Sequence, residues 1–192
     1  MDDFIRVVKK HYPGKKISKA YTWNTLRLDG NIAKLVTWDI DDPDDIQRAR
    51  KAFEVERKIY SMLPIWWGIR LVDSFEDDNN FVILTNELKH CKWNSVVNID
   101  KTSVFSDIEK QLSWLHSNKI LHDDIELKNI LLSCDGKHAT IIDFEKSKFN
   151  PTLQEIKTEK ELIKDRFQAF MYSRGGSRRR KRTTRKTRRR RV

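Results

Sequence analysis

The chain has 192 residues, of which 38% are hydrophobic, and this size suits one substantial domain or two very small ones. Residues 174–192, the basic tail, contain 12 Lys or Arg and no acid. They account for the formal net charge of +11, because the 27 basic residues elsewhere are outnumbered by 28 acidic ones. No apolar run reaches the roughly 20 residues that span a bilayer, and the N-terminus MDDFIRVVKK lacks the features of a signal peptide, so we expect an intracellular protein that is not secreted and has no transmembrane segment.

The first predicted element is a β-hairpin. An apolar stretch ends at Leu28, Asp29-Gly30 is a turn signal, and the strand NIAKLVTW follows. Because side chains alternate along a strand, Lys34 shares its face with apolar groups only. A Lys in such surroundings is unusual, and a solvent-exposed Lys on a half-buried strand is the simpler interpretation from the strand alone.

A helix is predicted next, over about 44–63. Its acidic start, DDPDD, suits a helix N-terminus, where the helix dipole favours negative charge. Phe53, Glu56, Tyr60 and Leu63 fall on one stripe of this helix. A carboxylate on a buried face needs a cationic partner, unless Glu56 lies at the edge of the stripe and reaches water.

The remaining chain alternates strands and helices. GIRLVDSF and FVILTNEL are strand-like runs joined by the turn-forming EDDNN. Later apolar spacings predict further elements, which are a helix at 103–117, strands at 129–132 and 139–142, and a helix at about 152–172. Gly175-Gly176 separates these elements from most of the basic tail.

The chain contains two cysteines, Cys91 and Cys134. They have no CxxC spacing and no nearby cluster of His ligands. We therefore expect buried or free thiols in a reducing compartment rather than a disulfide.

Residues 120–147, ILHDDIELKNILLSCDGKHATIIDFEKS, crowd polar groups around the predicted second hairpin. Phosphoryl transfer needs metal ligands, a carboxylate near the attacking hydroxyl and a cation on the phosphate oxygens. Asn129 and Asp143 lie at opposite ends of this hairpin, so both can serve one Mg²⁺. Asp124 lies five residues before Asn129, near enough to this site to receive a substrate proton. Polar groups that merely cap turns are the alternative explanation for any one of them.

Two of these segments resemble the eukaryotic-type protein kinase superfamily. WLHSNKILHDDIELKNILL resembles the catalytic loop with its preceding helix, and IIDFE resembles the metal-binding DFG segment. The resemblance implies that Asp124 orients or deprotonates the substrate hydroxyl. It also implies that Asn129 and Asp143 hold Mg²⁺.

The N-terminal part carries a weaker form of the same resemblance. NIAK resembles the VAIK strand, which implies that Lys34 contacts the ATP phosphates and that Glu56 is its helical partner. LTNEL at 84–88 would then be the hinge that holds adenine, with Asn86 and Leu88 as its binding residues. The Lys and the Glu on apolar faces would explain each other.

The sequence also departs from the family pattern around the phosphates. No GxGxxG precedes Lys34, and the equivalent segment at about 18–23 contains no Gly, so the lid over ATP is altered. Glu145 stands at the third DFG position and adds negative charge near the metal. Glu126 replaces the usual catalytic-loop Lys, while Lys128 keeps a catalytic cation available.

Other departures concern regulation and size. Asp123 replaces the Arg that receives a phosphorylated activation loop in the family, so we expect no requirement for such phosphorylation. There is no APE motif, and the large helical half of a protein kinase cannot fit before the Gly-Gly. The expected fold is α+β and two-lobed. It is a minimal kinase core that resembles the RIO-type and bacterial lipopolysaccharide kinases in its small size. It comprises a β-rich N-lobe with one helix (1–88), a truncated helical C-lobe (89–173) and a disordered basic tail (174–192).

The sequence therefore predicts an ATP- and Mg²⁺-dependent phosphotransferase, best described as a Ser/Thr-type protein kinase with a protein substrate. A pseudokinase binding module and a kinase for small molecules or sugars are the alternatives. The basic tail suits nucleic acid or nuclear targeting, with acidic partners, membranes or simple solubility as alternatives. Its composition resembles tails on proteins of large DNA viruses, and we expect a location in the nucleus, cytoplasm or virion.

Overall fold

The structure is a computed structural model that describes residues 2–19, 22, 24–36, 42–77 and 80–173. The end of the predicted strand NIAKLVTW at Thr37 and Trp38, the Gly175-Gly176 boundary and the expected disorder of the basic tail lie outside these residues. Residues 20, 21 and 23, half of the segment expected to cover the phosphates, also lie outside them.

The N-terminal half is built on a five-stranded antiparallel sheet with the strand order β1-β2-β3-β5-β4. The predicted hairpin is confirmed, and its turn residues Asp29 and Gly30 both have positive φ, at 46° and 80°. The predicted pair of later strands is also confirmed, although 68–70 is not part of a strand. The strands are β1 (Ile17–Lys19), β2 (Thr25–Leu28), β3 (Asn31–Val36), β4 (Leu71–Asp77) and β5 (Asn80–Asn86).

One face of the sheet is covered by helix α1 (Asp2–His11), which the sequence analysis did not predict. Its buried side chains Phe4, Val7 and Val8 pack against apolar side chains of β2, β3 and β5. The expected N-lobe with one helix therefore has two. Because α1 covers the far face, both faces of β3 are buried.

The other face is covered by helix α2 (Pro43–Met62), which confirms the predicted helix. The Asp42 side chain accepts a hydrogen bond from the Asp44 N–H and caps the helix start. Phe53 and Ile59 belong to the main core together with Phe81 of β5. This packing brings the apolar stripe of α2, and Glu56 within it, against the sheet.

The C-terminal half consists of two helices and two small sheets. Helix α3 (Lys101–Ser117) and helix α4 (Leu153–Ser173) confirm the two predicted helices, and Asn118 is the C-cap residue of α3. The predicted hairpin is β7 (Ile130–Leu132) with β8 (Ala139–Ile141). An additional pair, β6 (Ile120–Leu121) with β9 (Lys148–Phe149), connects the segment before the hairpin to the segment after it.

None of the helices within the described ranges is both long enough and apolar enough to cross a membrane.

The two cysteines form a disulfide between Cys91 and Cys134, so the prediction of free thiols is wrong. The two cysteines are far apart in sequence, but the chain after β5 forms an antiparallel bridge between Cys91 and Leu132. That bridge brings Cys91 beside the end of β7, where Cys134 follows. The cysteines therefore no longer argue for a reducing compartment.

We expect the disulfide to stabilise the fold, because it closes a chain segment with a sequence separation of 43 residues. Loop-closure entropy of that size corresponds to roughly 4 kcal/mol, of which about 2–4 kcal/mol is usually realised. Urea unfolding of the wild type with and without a thiol reductant should show a loss of this order. The double variant Cys91→Ser/Cys134→Ser should not respond to the reductant, and a wild type that is equally insensitive would contradict the prediction.

Candidate active site

The side chain of Lys34 lies in a cluster of three carboxylates. Its Nζ is 2.9 Å from Glu56 Oε2, 2.5 Å from Asp143 Oδ1 and 3.2 Å from Glu145 Oε2. Glu56 is 0% exposed, so it does not reach water at the edge of its stripe. The Lys and the Glu that stood on apolar faces in the sequence are therefore ion partners.

Burial and the neighbouring charges shift the pKa values of Lys34 and Glu56. Burial alone would lower the pKa of Lys34, but Glu56, Asp143 and Glu145 raise it well above its usual value. Burial raises the pKa of Glu56 to about 7, while the neighbouring Lys34 ammonium acts in the opposite direction. Lys34 is accordingly cationic, and it lies among three carboxyl groups.

Helix α2 also positions the backbone after β8. Glu56 Oε1 accepts a hydrogen bond from the Phe144 N–H at 3.2 Å, and the Tyr60 hydroxyl accepts one from the Asp143 N–H at 3.4 Å. Asp143 has a φ of 70°, a left-handed conformation that is uncommon for residues other than Gly. Glu145 is not among the described residues with positive φ, so the loss of Gly at that position causes no backbone strain.

The catalytic loop holds Asp124 and Asn129 in direct contact. Asn129 Nδ2 donates to the Asp124 carbonyl oxygen at 2.9 Å and to Asp124 Oδ2 at 3.1 Å. Both contacts use the amide nitrogen, which leaves the Asn129 amide oxygen as a ligand for a cation. The 3₁₀ turn Leu127–Asn129 and the buried position of Asn129 fix this arrangement.

Two lysines approach the Asp124 carboxylate. Lys146 Nζ lies 3.2 Å from Asp124 Oδ2, and Lys128 Nζ lies 3.8 Å from the same oxygen. Lys128 is also 3.1 Å from Glu126 Oε2. Partial burial alone would raise the pKa of Asp124, but these cations and Asn129 lower it overall, so the carboxylate is ionised at neutral pH.

The β7–β8 hairpin brings the two predicted metal ligands together. The Ile142 N–H donates to the Asn129 carbonyl oxygen at 2.9 Å, which places Asn129 beside the residue that precedes Asp143. A carboxylate and an amide oxygen are hard ligands of the kind that Mg²⁺ prefers. Glu56, Asp143 and Glu145 also lie close enough for their carboxylate oxygens to surround a cation. The donor set therefore fits a magnesium ion.

Asn86 and Leu88 line a cleft of about 360 Å³ that also includes Lys34, Asn129 and Asp143. The Asn86 side chain accepts from the Arg70 N–H and donates to the Gly68 carbonyl oxygen, so its amide is occupied within the fold. The Asn86 N–H also donates to the Arg70 carbonyl oxygen at 3.3 Å, so side chain and N–H are both held within the fold. Apolar side chains line the same cleft and suit a flat ring, namely Ile32, Ile69, Ile83, Leu131 and Ile142.

The part of the chain that lacks a glycine-rich loop contributes hydroxyl and amide groups to the cleft. Thr22, Asn24 and Thr25 line the cleft, and Thr25 pairs directly with Lys34 across the β2–β3 ladder. Directly paired residues project to the same face of a sheet. The Thr25 side chain is therefore a polar neighbour of Lys34 on the cleft side.

Helix α4 braces the catalytic loop through residues that the sequence analysis missed. Glu159 is 6% exposed, and its Oε1 accepts a hydrogen bond from the Asp123 N–H at 2.8 Å while its Oε2 contacts His116 Nε2 at 2.7 Å. Arg166 Nη1 donates to the Ile125 carbonyl oxygen at 2.5 Å. These contacts flank Asp124 on both sides. Glu159 lies in the apolar stripe formed by Ile156 and Ile163. An acidic residue within an apolar stripe is the same pattern that identified Glu56 in the sequence.

His122 anchors the same loop through both nitrogens of its imidazole ring. Its Nε2 donates to the Ile142 carbonyl oxygen at 3.0 Å, and its Nδ1 accepts the Asp124 N–H at 3.3 Å. These two contacts require the neutral ring with its proton on Nε2. Burial lowers the pKa of His122 below its usual value, despite opposing contributions from the Ile142 carbonyl and the nearby acids.

We expect His122 to make the fold less stable in mild acid. Below about pH 6.5 the unfolded chain takes up a proton at this residue and the folded chain does not, so the free energy of unfolding falls as the pH falls. The loss should be roughly 1 kcal/mol between pH 7 and 5.5. Urea unfolding of wild type and His122→Gln at several pH values measures it, because the variant lacks this contribution.

His138 supplies a matched control, since its side chain is 72% exposed. His138→Gln should retain the acid sensitivity of the wild type. Equal pH slopes for wild type and His122→Gln would show that His122 is not the group responsible.

Comparison with known proteins places this geometry in a family. A protein kinase domain profile matches residues 37–169, more than half of the chain, and the match begins just after Lys34. Serine/threonine-protein kinase B of Synechocystis sp. (strain ATCC 27184 / PCC 6803 / Kazusa) is 26% identical over 121 residues, which cover 59% of this chain and 21% of that protein. This chain therefore spans about a fifth of the length of that relative.

Two solved structures share the fold. Monomeric WbdD superimposes with a TM-score of 0.59 at 15% identity, covering 78% of this chain and 40% of that one. A structure of the bifunctional kinase-methyltransferase WbdD gives a TM-score of 0.62 at 14% identity, covering 77% of this chain and 34% of that one. With the matching domain profile and the arrangement of Lys34, Glu56, Asp124, Asn129 and Asp143, these comparisons lead to one assignment: the chain belongs to the protein kinase family.

Proposed function

We propose that the chain transfers the γ-phosphoryl group of ATP to a hydroxyl group, as a Mg²⁺-dependent Ser/Thr-type protein kinase. The observation that carries this proposal is the convergence of two clusters on one cleft. Lys34, Glu56 and Asp143 form the first, and Asp124 with Asn129 forms the second. A chain that kept the fold only for binding would not need both.

Each residue has a task in this reaction. Asn129 and Asp143 would hold Mg²⁺, which neutralises phosphate charge when it is bound. Lys34 would exchange a carboxylate contact for a phosphate contact. Asp124 would orient the acceptor hydroxyl and take up its proton, and the ionised state of its carboxylate suits that role. The segment that contains Asn86 and Leu88, which line the cleft, would hold the adenine.

Activity without activation-loop phosphorylation is part of the proposal. Asp123 stands where the family has an Arg, and Lys148 Nζ lies 3.3 Å from its carboxylate and 2.8 Å from Glu155. The β6–β9 pair fixes the chain after Asp143, and α4 begins at Leu153. An ion pair within the fold thus takes the place of a phosphate–Arg contact.

We also propose the division into an N-lobe (1–88), a truncated C-lobe (89–173) and the basic tail (174–192). The sheet with α1 and α2 supports the first unit, and α3, α4 and the small sheets support the second. Under this division the cleft lies where the two lobes meet.

The short segment 144–152 favours a second candidate, phosphorylation of a small molecule or sugar. Within the described residues, β9 is the single strand between Asp143 and α4, and no separate platform for an extended peptide lies there. A small acceptor would not need one. The Ser/Thr kinase relative favours a protein acceptor, so the two candidates differ in their acceptor and share the site.

Transfer of labelled phosphate from ATP tests the proposal. Wild type with Mg²⁺ should label itself or a generic acceptor protein such as casein, and Asp143→Ala should reduce the rate by a factor on the order of 100 or more. Asp165→Ala removes an exposed carboxylate of α4 and should retain the wild-type rate. Phosphatase treatment beforehand should not lower the rate if no activating phosphate is required.

Other outcomes separate the alternatives. ATP turnover with sugars or aminoglycosides and no labelled protein would select the small-molecule kinase. A rise in melting temperature with Mg²⁺-ATP but no transfer to any acceptor would mean a pseudokinase that uses the fold for binding.

We further propose that the basic tail binds nucleic acid or directs the chain to the nucleus or virion. Its 12 basic residues and lack of Trp and Tyr favour contacts to phosphates over reading of bases. Duplex DNA binding by the full chain should weaken steeply as salt rises, and deletion of 174–192 should abolish both the binding and its salt dependence. Equal binding by the deleted chain in an electrophoretic shift assay would contradict this assignment.

A further inference from the structure

The Asp124 carboxylate has a second cation beside it that the sequence analysis did not use. Glu126 occupies the place of the family's catalytic-loop Lys, and Lys128 was the expected replacement. In the structure Lys146 lies nearer to the carboxylate than Lys128 does, at 3.2 Å against 3.8 Å. We propose that Lys146, rather than Lys128, is the main cation for the phosphoryl group in transfer, an inference that rests on the proposed kinase function.

The two lysines differ in their other contacts. Lys128 is 61% exposed and is paired with Glu126 at 3.1 Å, so part of its charge is already neutralised by a neighbour in its own turn. Lys146 is 50% exposed, and the acid in contact with its ammonium group is Asp124 itself. The charge of Lys146 is therefore directed at the catalytic carboxylate, whereas that of Lys128 is divided.

The backbone at Lys146 is held by the fold. The Ser147 N–H donates to the Phe144 carbonyl oxygen at 3.0 Å, which closes a turn around Lys146. The Ser147 hydroxyl is buried and donates to the His122 carbonyl oxygen at 3.1 Å. Immediately afterwards, Lys148 pairs with Leu121 in the β6–β9 sheet. The long side chain of Lys146 thus starts from a fixed point beside the catalytic loop.

Neighbouring residues after Asp143 serve the two halves of the site. Glu145 contacts Lys34 at 3.2 Å, and Lys146 contacts Asp124 at 3.2 Å. A single short segment therefore supplies a negative charge to the Lys34 cluster and a positive charge to the acceptor side. Lys146 thus supplies a positive charge in place of the catalytic-loop Lys that Glu126 replaces.

The bonds formed and broken in the reaction, and the path of the proton, indicate when Lys146 acts. The acceptor oxygen forms a bond to the γ-phosphorus while the bond from that phosphorus to the β–γ bridging oxygen breaks, and ADP leaves with that electron pair. The acceptor proton passes to Asp124. As the Asp124 carboxylate becomes neutral, its attraction for Lys146 weakens, and the N–H groups of Lys146 can donate to the phosphoryl oxygens where negative charge accumulates.

Steady-state phosphate release from Mg²⁺-ATP tests the assignment, because water as acceptor needs no identified substrate, and labelling of casein provides a second readout. The variants are Lys146→Met, Lys146→Arg and Lys128→Met, with Lys16→Met as the control for loss of one exposed positive charge. We expect Lys146→Met to lower kcat roughly 10- to 100-fold with little change in KM for ATP. Lys146→Arg should recover a large part of kcat, Lys128→Met should lower it several-fold at most, and Lys16→Met should leave it unchanged.

The outcomes are distinct. A wild-type kcat in Lys146→Met, or a larger loss in Lys128→Met than in Lys146→Met, would overturn the assignment and leave the kinase function intact. A rise in KM with kcat unchanged would overturn it too, because it would place Lys146 in ATP binding. No turnover by the wild type under any condition would overturn the proposed function itself. Thermal unfolding of each variant separates a folding defect from a catalytic one, and the Arg variant keeps the test decisive if the Met variant is unstable.

Discussion

The buried ion pair between Lys34 and Glu56 is the contact on which the rest of the site depends. A charge removed from water is costly unless it is paired and hydrogen-bonded, and Glu56 is fully buried. The pair can exist only while α2 stays packed on the sheet, and the same carboxylate accepts the Phe144 N–H. One side chain therefore links the N-terminal sheet, α2 and the segment that carries Asp143. Replacing Glu56 would leave Lys34 to Asp143 and Glu145 and would remove one of the two hydrogen bonds from α2 to that segment, with only the Tyr60 contact remaining.

The proposed catalytic residues are held by helices from two directions. α2 fixes the Asp143 segment, and α4 fixes the loop around Asp124 through Glu159 and Arg166. Between them, the β7–β8 hairpin joins Asn129 to the residue before Asp143. With one helix on each side, the site is held in place by elements within residues 43–173.

Much of the fold and site was predictable because the informative patterns were local or strongly constrained. The hairpin, α2, α3, α4 and the second hairpin follow from turn residues and apolar spacing, and Lys34 and Glu56 stood out because charge on an apolar face is costly. α1 was missed because MDDFIRVVKK was assessed only as a possible leader. The disulfide depends on a bridge between Cys91 and Leu132, distant in sequence, and no local pattern reveals it. Glu159 carried the signal that identified Glu56, but Lys146 had none, since its position beside Asp124 arises only when the segment after Asp143 folds back.

The disulfide has a topological consequence for the catalytic loop. Cys91 and Cys134 close a covalent ring that contains α3, Asp124 and Asn129, whereas Lys34, Glu56 and Asp143 lie outside it. A single peptide-bond cleavage between the two cysteines would therefore leave one molecule, with both cut ends still tethered. The loop that carries the proposed base could be nicked by a protease without being released from the remainder of the enzyme.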